Sequence, residues 1–167
     1  MSSKLRRTTR CLLPLLLSSL VFALAPVAYA EPGLQSELTA ISGQGTGHID
    51  VSPTAHDLAD TAFIAQGTAE IHDALPDTTY LVQRAVDFQH HDGVVCNIAP
   101  APPRGWLSLT TFTTSEAGAG AGHFVRHGPP PPVPAFDVIF RVVKLNAGGS
   151  LDFSQLLMSD CMVTRVK

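Results

Sequence analysis

The sequence predicts an all-β protein, folded as an antiparallel β-sandwich of about seven short strands after an N-terminal signal peptide. Three observations support this fold class. Several segments alternate apolar and polar residues with a period of two. Turn-forming residues separate these segments at nearly regular intervals. No long, capped helical pattern occurs beyond residue 30. Strands with one apolar face favour antiparallel sheets that have one wet side.

The clearest strand patterns lie in five segments. Residues 63–72 and 136–142 each have a period of two with one apolar face, and residues 106–114 are rich in β-branched and aromatic side chains. Residues 80–88 share an apolar face that is interrupted by Arg84, and residues 161–167 form a last alternating run. Residues 123–127 are predicted to be a short strand, with Phe124 facing the core and His123 and His127 facing water. Turns are expected at 75–78, 115–122 and 146–149.

A local resemblance refines the fold class. The segment Leu75-Pro76-Asp77-Thr78-Thr79-Tyr80-Leu81-Val82 resembles the turn and strand of fibronectin type III domains, in which a leucine, a proline and a threonine lead into a tyrosine. The resemblance implies an immunoglobulin-like sandwich and gives Tyr80 the role of a corner tyrosine, bonded to the backbone a few residues upstream. In that family the tyrosine comes late in the domain, whereas only about two predicted strands precede Tyr80 here.

Residues 1–30 have the three-part organisation of a secretory signal peptide. Four basic residues precede an apolar run over residues 11–27, and Ala28-Tyr29-Ala30 supplies the small-x-small cleavage pattern. We therefore expect cleavage between Ala30 and Glu31, and a protein that is secreted to the extracellular space or cell envelope. The predicted organisation is a signal peptide at 1–30, a flexible leader at 31–46 and a β-sandwich domain at 47–167.

Charge limits the partners of the exported chain. The signal peptide holds 4 of the 11 basic residues and none of the 14 acidic ones, so the remainder carries 7 basic and 14 acidic groups, a formal charge of −7. Such a surface repels nucleic acid and anionic lipid. No second apolar stretch is long enough for a membrane span, so we expect a soluble protein.

Two cysteines, Cys96 and Cys161, remain after cleavage. In an exported protein a pair usually forms a disulfide. The bridge would close a loop of about 65 residues and contribute roughly 4 kcal/mol in the chain-entropy model. A redox or metal pair is the alternative, but the cysteines lack the CxxC spacing that such pairs use.

Histidines are the candidate metal ligands, and the exported chain has seven of them: His48, His56, His72, His90, His91, His123 and His127. Residues 122–127 resemble a segment of copper–zinc superoxide dismutase, but that family needs a histidine pair two residues apart and further ligands that this chain lacks. His123 and His127 would stand roughly 13 Å apart along a strand, too far to bind one ion together. We therefore predict no metal site and no cofactor.

Hydrolytic catalysis has no motif to support it. The chain contains no GxSxG elbow. Asp73, Asp77, Asp87 and Asp92 could form the carboxylate pair of a glycosidase, but they fall at predicted turns and exposed strand positions. We therefore predict that the protein is not an enzyme.

The sequence favours a non-enzymatic protein of extracellular or cell-surface recognition or adhesion, with an unknown protein or carbohydrate as its ligand. Binding would use the loops at 89–105, 115–121 and 128–135, because sandwiches present loops at their ends. Trp106 and Tyr80 could serve as aromatic anchors or belong to the core. The proline-rich residues 128–134 favour polyproline II, either as a stiff loop or as a ligand for an aromatic groove.

Two alternatives stay open. One is a small secreted metal-binding protein or hydrolase that uses His90, His91, His123 or His127. The other is a surface or matrix component that binds further copies of itself; the sequence does not fix its oligomeric state.

Overall fold

Alternating sequences form strands throughout the described part of the chain. The structure is a computed structural model that describes residues 33–53, 63–96, 105–129 and 131–165. Within these ranges no helix is long and apolar enough to cross a bilayer. The described strands are β1 Leu34–Ser42, β2 Thr46–Pro53, β3 Phe63–His72, β4 Thr79–Asp87, β5 Leu107–Thr113, β6 Gly120–Gly128, β7 Ala135–Leu145, β8 Leu151–Ser159 and β9 Met162–Arg165.

These strands form one antiparallel sheet that curls into a nearly closed barrel. The hydrogen-bonded order is β5-β4-β7-β8-β1-β2-β3-β6, and β9 pairs with the first half of β7 beside the place where β8 stops. The two end strands, β5 and β6, contact each other and are joined by the turn at 114–119. Curling therefore brings both edges of the sheet together.

Small residues permit the close approach of β5 and β6. Gly120 and Gly122 of β6 lie under the ring of Phe112 in β5, and a Cβ atom on Gly122 would stand 2.7 Å from a carbon of that ring. Real Cβ atoms do not approach a ring carbon so closely. Of the three glycines in the segment 115–122, only Gly118 adopts a positive φ. Gly120 and Gly122 instead make room for an aromatic ring.

The all-β, antiparallel class is confirmed, while the predicted strand count and layering need correction. Nine strands are described where about seven were expected, and they form one curled sheet without a clear division into two layers. Beside β4 lies β7, the fourth strand counted from β4, so the chain returns to β4 after β5 and β6. In the immunoglobulin fold the second and third strands lie in different sheets. Here β2 pairs directly with β3, so the strand order differs from the one that the resemblance implied.

Residues 34–42, inside the segment 31–46 that was expected to be a flexible leader, form β1. This strand pairs with β2 on one side and β8 on the other. Ser36 and Leu38 on its inner face are buried. The expectation was wrong for these residues because the inner face is partly polar, which hides the alternation in the sequence. Ser36 is accommodated because its hydroxyl accepts a hydrogen bond from the backbone N–H of Asp160 at 3.0 Å.

Tyr80 lies at the centre of the barrel core. It is fully buried, and its ring stacks on Phe112 at a centroid distance of 6.0 Å. The backbone N–H of Leu75, five residues upstream, donates a hydrogen bond to its hydroxyl oxygen at 3.3 Å. This is the bond that the fibronectin resemblance implied for Tyr80. Burial raises the pKa of the phenol, so the hydroxyl stays neutral.

The disulfide prediction is confirmed. Cys96 and Cys161 are bonded, and they connect the segment after β4 to the break between β8 and β9. On its way to Cys96 the chain crosses the start of β7, where the N–H of Gly93 donates a hydrogen bond to Oδ1 of Asp137 at 3.0 Å. The bridge therefore holds a loop against one end of the barrel.

Candidate functional site

Two arginines point into the barrel, where apolar residues are expected. Arg84 lies between Val82 and Val86 on the inner face of β4, and Arg126 follows Phe124 on the inner face of β6. Both are half-buried. The two strands flank β5, so the curled sheet brings together side chains that are 42 positions apart in the sequence.

Both arginines line a cavity of about 570 Å³ at this end of the barrel, which we call the arginine cleft. Aromatic rings of Phe63, Phe88 and Phe136 form one part of its wall, with Phe136 at 6.3 Å from Phe63 and 5.4 Å from Phe88 between ring centroids. Its other described lining residues are Ala85, Val86, Gly105, Trp106, Leu107, Gly128, Pro129, Pro131 and Pro132. Its volume is within the range of about 300–1,000 Å³ that is typical of small-molecule sites.

Neither guanidinium group has a counter-charge among the described residues. No ion pair joins Arg84 or Arg126 to a described carboxylate, and the described residues offer the buried Nε of Arg126 no hydrogen-bond acceptor. Burial lowers the pKa of Arg84, and the positive charge of Arg126 lowers it further. A charged group in an apolar site is normally paired, because desolvation disfavours it. The cleft therefore holds two cations whose partner is not part of the described chain.

The space beyond the arginines is nearly filled. The inner cavity, which shares Arg84, Arg126, Phe63 and Phe136 with the cleft, measures only about 30 Å³. It is lined by core residues of β1, β2, β3, β6, β7 and β9. The guanidinium groups thus lie at the floor of the cleft. The mouth is the part of the cleft whose lining residues the inner cavity lacks, among them Phe88, Leu107 and Pro132. Gly128 lies beside the arginines, since a Cβ atom there would stand 3.9 Å from Nη2 of Arg126.

Trp106 connects the cleft to the outer surface. It lines the cleft, and the guanidinium of Arg141 lies 4.0 Å from the centre of its ring. Arg141 also donates a hydrogen bond from Nε to Oε1 of Gln83 at 2.9 Å, and Phe153 lies 5.2 Å away on the other flank. Arg141 thus has the partners that Arg84 and Arg126 lack. Of the two expected aromatic anchors, Tyr80 is in the core and Trp106 is half-buried at the cleft.

The structure does not gather the histidines into one site. The predicted orientations on β6 are confirmed: His123 and His127 are exposed, and Phe124 is buried. His123 Nδ1 lies 2.8 Å from the hydroxyl of Thr68, on the outer face of the sheet. His48 Nε2 lies near Asp50 and Glu70, His72 ends β3, and His56 falls outside the described residues. No group of three potential ligands in the described ranges is arranged to hold a metal ion.

The aspartates considered for catalysis instead shape turns and loops. Asp73 and Asp77 adopt φ values of 55° and 47° in turns, and Asp92 accepts a backbone hydrogen bond from Val94. Asp87 was expected to be exposed, but it is buried. Its carboxylate accepts a bond from the N–H of Gln89 at 2.8 Å and lies 2.7 Å from Nδ1 of His90. These contacts hold the start of the loop at 88–96.

Sequence reasoning found part of the cleft's surroundings but missed its centre. The described parts of the loops expected at 89–105 and 128–135 lie at this end of the barrel, where Gly105 and three prolines line the cleft. The third loop, at 115–121, lies at the opposite end, where Gly118 accepts a hydrogen bond from Ala74. In the sequence, Arg84 interrupts the apolar face of residues 80–88, and this interruption is the available signal of the cleft. The signal peptide and its cleavage point, Ala30–Glu31, lie outside the described residues.

No protein-family model matches this chain, and a search of curated proteins finds no significant match. A functional conclusion therefore depends on the geometry and electrostatics of the arginine cleft.

Proposed function

We propose that the protein is a secreted, non-enzymatic binding protein that holds a small organic anion in the arginine cleft. The single observation that carries this proposal is the pair of inward-facing guanidinium groups, Arg84 and Arg126, which have no carboxylate partner among the described residues and lie in a cavity whose other described lining is almost wholly apolar. Proteins keep such an arrangement at a cost in stability, because each charge is partly desolvated. An anionic ligand would supply the missing counter-charge.

Binding fits the cleft better than catalysis does. Besides the two arginines, Trp106 is the only described lining residue whose side chain can donate a hydrogen bond, and none of the described lining residues is a carboxylate, histidine, serine or cysteine. General acid–base or nucleophilic chemistry needs such groups within reach of the substrate. Guanidinium groups bind and orient anions without exchanging protons at ordinary pH.

Export is part of the proposal. The segment 1–30 has the composition of a signal peptide, and a disulfide between Cys96 and Cys161 is typical of oxidising compartments. The ligand would therefore be met outside the cytoplasm. The proposal keeps the expected role in extracellular recognition and assigns the ligand to the arginine cleft.

Calorimetric titration of the exported chain tests the proposal. The ligands are octanoate and octylamine, which share a tail and differ in the sign of the head charge. We expect octanoate to bind and octylamine not to bind. Arg84→Met and Arg126→Met should each weaken octanoate binding about 10–100-fold, since a hydrogen bond to a charged group contributes roughly 1.5–3 kcal/mol.

The matched control is Arg165→Met. Arg165 is exposed on β9 and is not among the described lining residues of the cleft, so this variant loses the same charge without changing the lining. Its affinity for octanoate should equal that of the unaltered protein. Equal weakening in all three variants would indicate a general charge effect and would contradict a site at the cleft. Full affinity in the Arg84 and Arg126 variants would do the same.

A further inference from the structure

We propose that the ligand is an organic carboxylate with a compact apolar body, bound with its carboxylate at the floor of the cleft and its body toward the mouth. This inference rests on the proposed function, and it adds the chemical class of the ligand and its orientation. Three features carry it: the hydrogen-bonding capacity of the floor, the lack of space beyond it, and the apolar wall above it.

The hydrogen-bonding capacity of the floor matches a carboxylate. Each guanidinium presents N–H groups in a planar fork, and a carboxylate has two oxygens that accept such bonds in pairs. A phosphate or sulfate group has further oxygens that also need donors. The wall offers few of these, because Pro129, Pro131 and Pro132 lack a backbone N–H and most lining side chains are apolar. An additional oxygen would have to share the N–H groups of the two guanidinium groups with the first two oxygens.

The lack of space beyond the arginines fixes the orientation. About 30 Å³ is free inside them, whereas about 570 Å³ is free on the side of the mouth. A body of several carbon atoms cannot enter the inner space, which has room for only a few water molecules. The head must therefore contact the guanidinium groups from the outer side. The rest of the ligand must then extend among the residues that line only the cleft, such as Phe88, Leu107 and the prolines.

The wall above the floor suits an apolar body. Phe88 and Phe63 are only half-buried beside Phe136, and Leu107 keeps 37% of its surface exposed. An alkyl or aryl group in the cleft would remove these surfaces from water, which stabilises the complex in proportion to the area covered. Each additional buried methylene should strengthen binding about fourfold, until the chain reaches the mouth.

A titration series with the exported chain tests the ligand class. The probes are acetate, butanoate, hexanoate, octanoate, octyl sulfate and inorganic phosphate. We expect affinity to rise along the carboxylates by at least tenfold in total and then to level off. Octyl sulfate and phosphate should bind at least tenfold more weakly than octanoate.

Two variants test the orientation. Phe88→Ala should weaken octanoate by about tenfold and leave acetate unchanged, whereas Arg84→Met should weaken both. Val125→Ala is the matched control, because Val125 is an apolar residue on the outer face of β6 and 61% exposed. It should change neither affinity.

The outcomes separate this inference from the proposed function. If octyl sulfate or phosphate binds as tightly as octanoate and still requires Arg84, the carboxylate assignment fails while the anion site stands. A flat carboxylate series, or equal weakening of acetate and octanoate by Phe88→Ala, overturns the apolar body and its orientation. If no anion binds, both the inference and the proposed function fail.

Discussion

Replacing Arg126 with methionine should stabilise the unliganded protein. The Nε atom of Arg126 is buried without a hydrogen-bond partner among the described residues, and its charge repels that of Arg84. Methionine keeps an unbranched apolar stem beside Phe124 and removes both unfavourable features. A buried, unsatisfied polar group costs about 1–3 kcal/mol, so Arg126→Met should raise the free energy of unfolding by about that amount.

Urea denaturation, with the disulfide intact and no organic anion in the buffer, measures this effect. With an m-value of about 1–3 kcal/mol/M, a gain of about 2 kcal/mol moves the midpoint upward by about 1 M. Salt supplies a second readout. Because salt screens the repulsion between Arg84 and Arg126, it should stabilise the unaltered protein more than the variant.

The control is Arg165→Met, which should stay within about 0.5 kcal/mol because Arg165 is exposed. A loss of more than about 1 kcal/mol in Arg126→Met would refute the reasoning. It would show that the guanidinium has a structural partner and is not held ready for a ligand.

Three further predictions follow from single contacts. Tyr80→Phe removes the acceptor of the Leu75 N–H and should cost about 1–2 kcal/mol in urea unfolding; an unchanged midpoint would contradict the corner bond. Phe124→Ala should cost about 3–5 kcal/mol through its cavity, whereas His123→Ala should stay within about 0.5 kcal/mol; similar losses in both would contradict the assigned faces. The hydrogen bond to Asp87 and the charge of that buried carboxylate raise the pKa of His90. The stability that His90 adds over a His90→Gln variant should therefore be full below about pH 6.5 and decline as pH rises through the raised pKa. A stability difference that does not depend on pH would contradict this prediction.

Local patterns predicted much of the sheet. Residues 63–72 and 136–142 are strands because each alternates along its length, and that alternation is visible without knowledge of the partner strand. The disulfide was predictable for a different reason, since two cysteines in an exported chain allow one pairing. The strand β1 was not predicted, because Ser36 occupies an inner position that only a long-range hydrogen bond to Asp160 makes acceptable.

The arginine cleft could not be predicted because it depends on how the sheet closes. The sequence shows Arg84 on an apolar face and Arg126 two residues after a core phenylalanine. It does not show that β3 pairs with β6, or that the two edge strands meet through Phe112 over Gly120 and Gly122. Strand pairing between distant segments is non-local, and neither composition nor period encodes it directly.

The central claim is that Arg84 and Arg126 together bind one organic anion. NMR spectra of the arginine Nε–H groups, recorded during titration of the exported chain with octanoate, test it most directly. We predict that the signals of Arg84 and Arg126 shift with one common dissociation constant, while those of Arg141 and Arg165 stay in place. No shift at Arg84 and Arg126, or shifts of equal size at Arg141 and Arg165, would contradict the account.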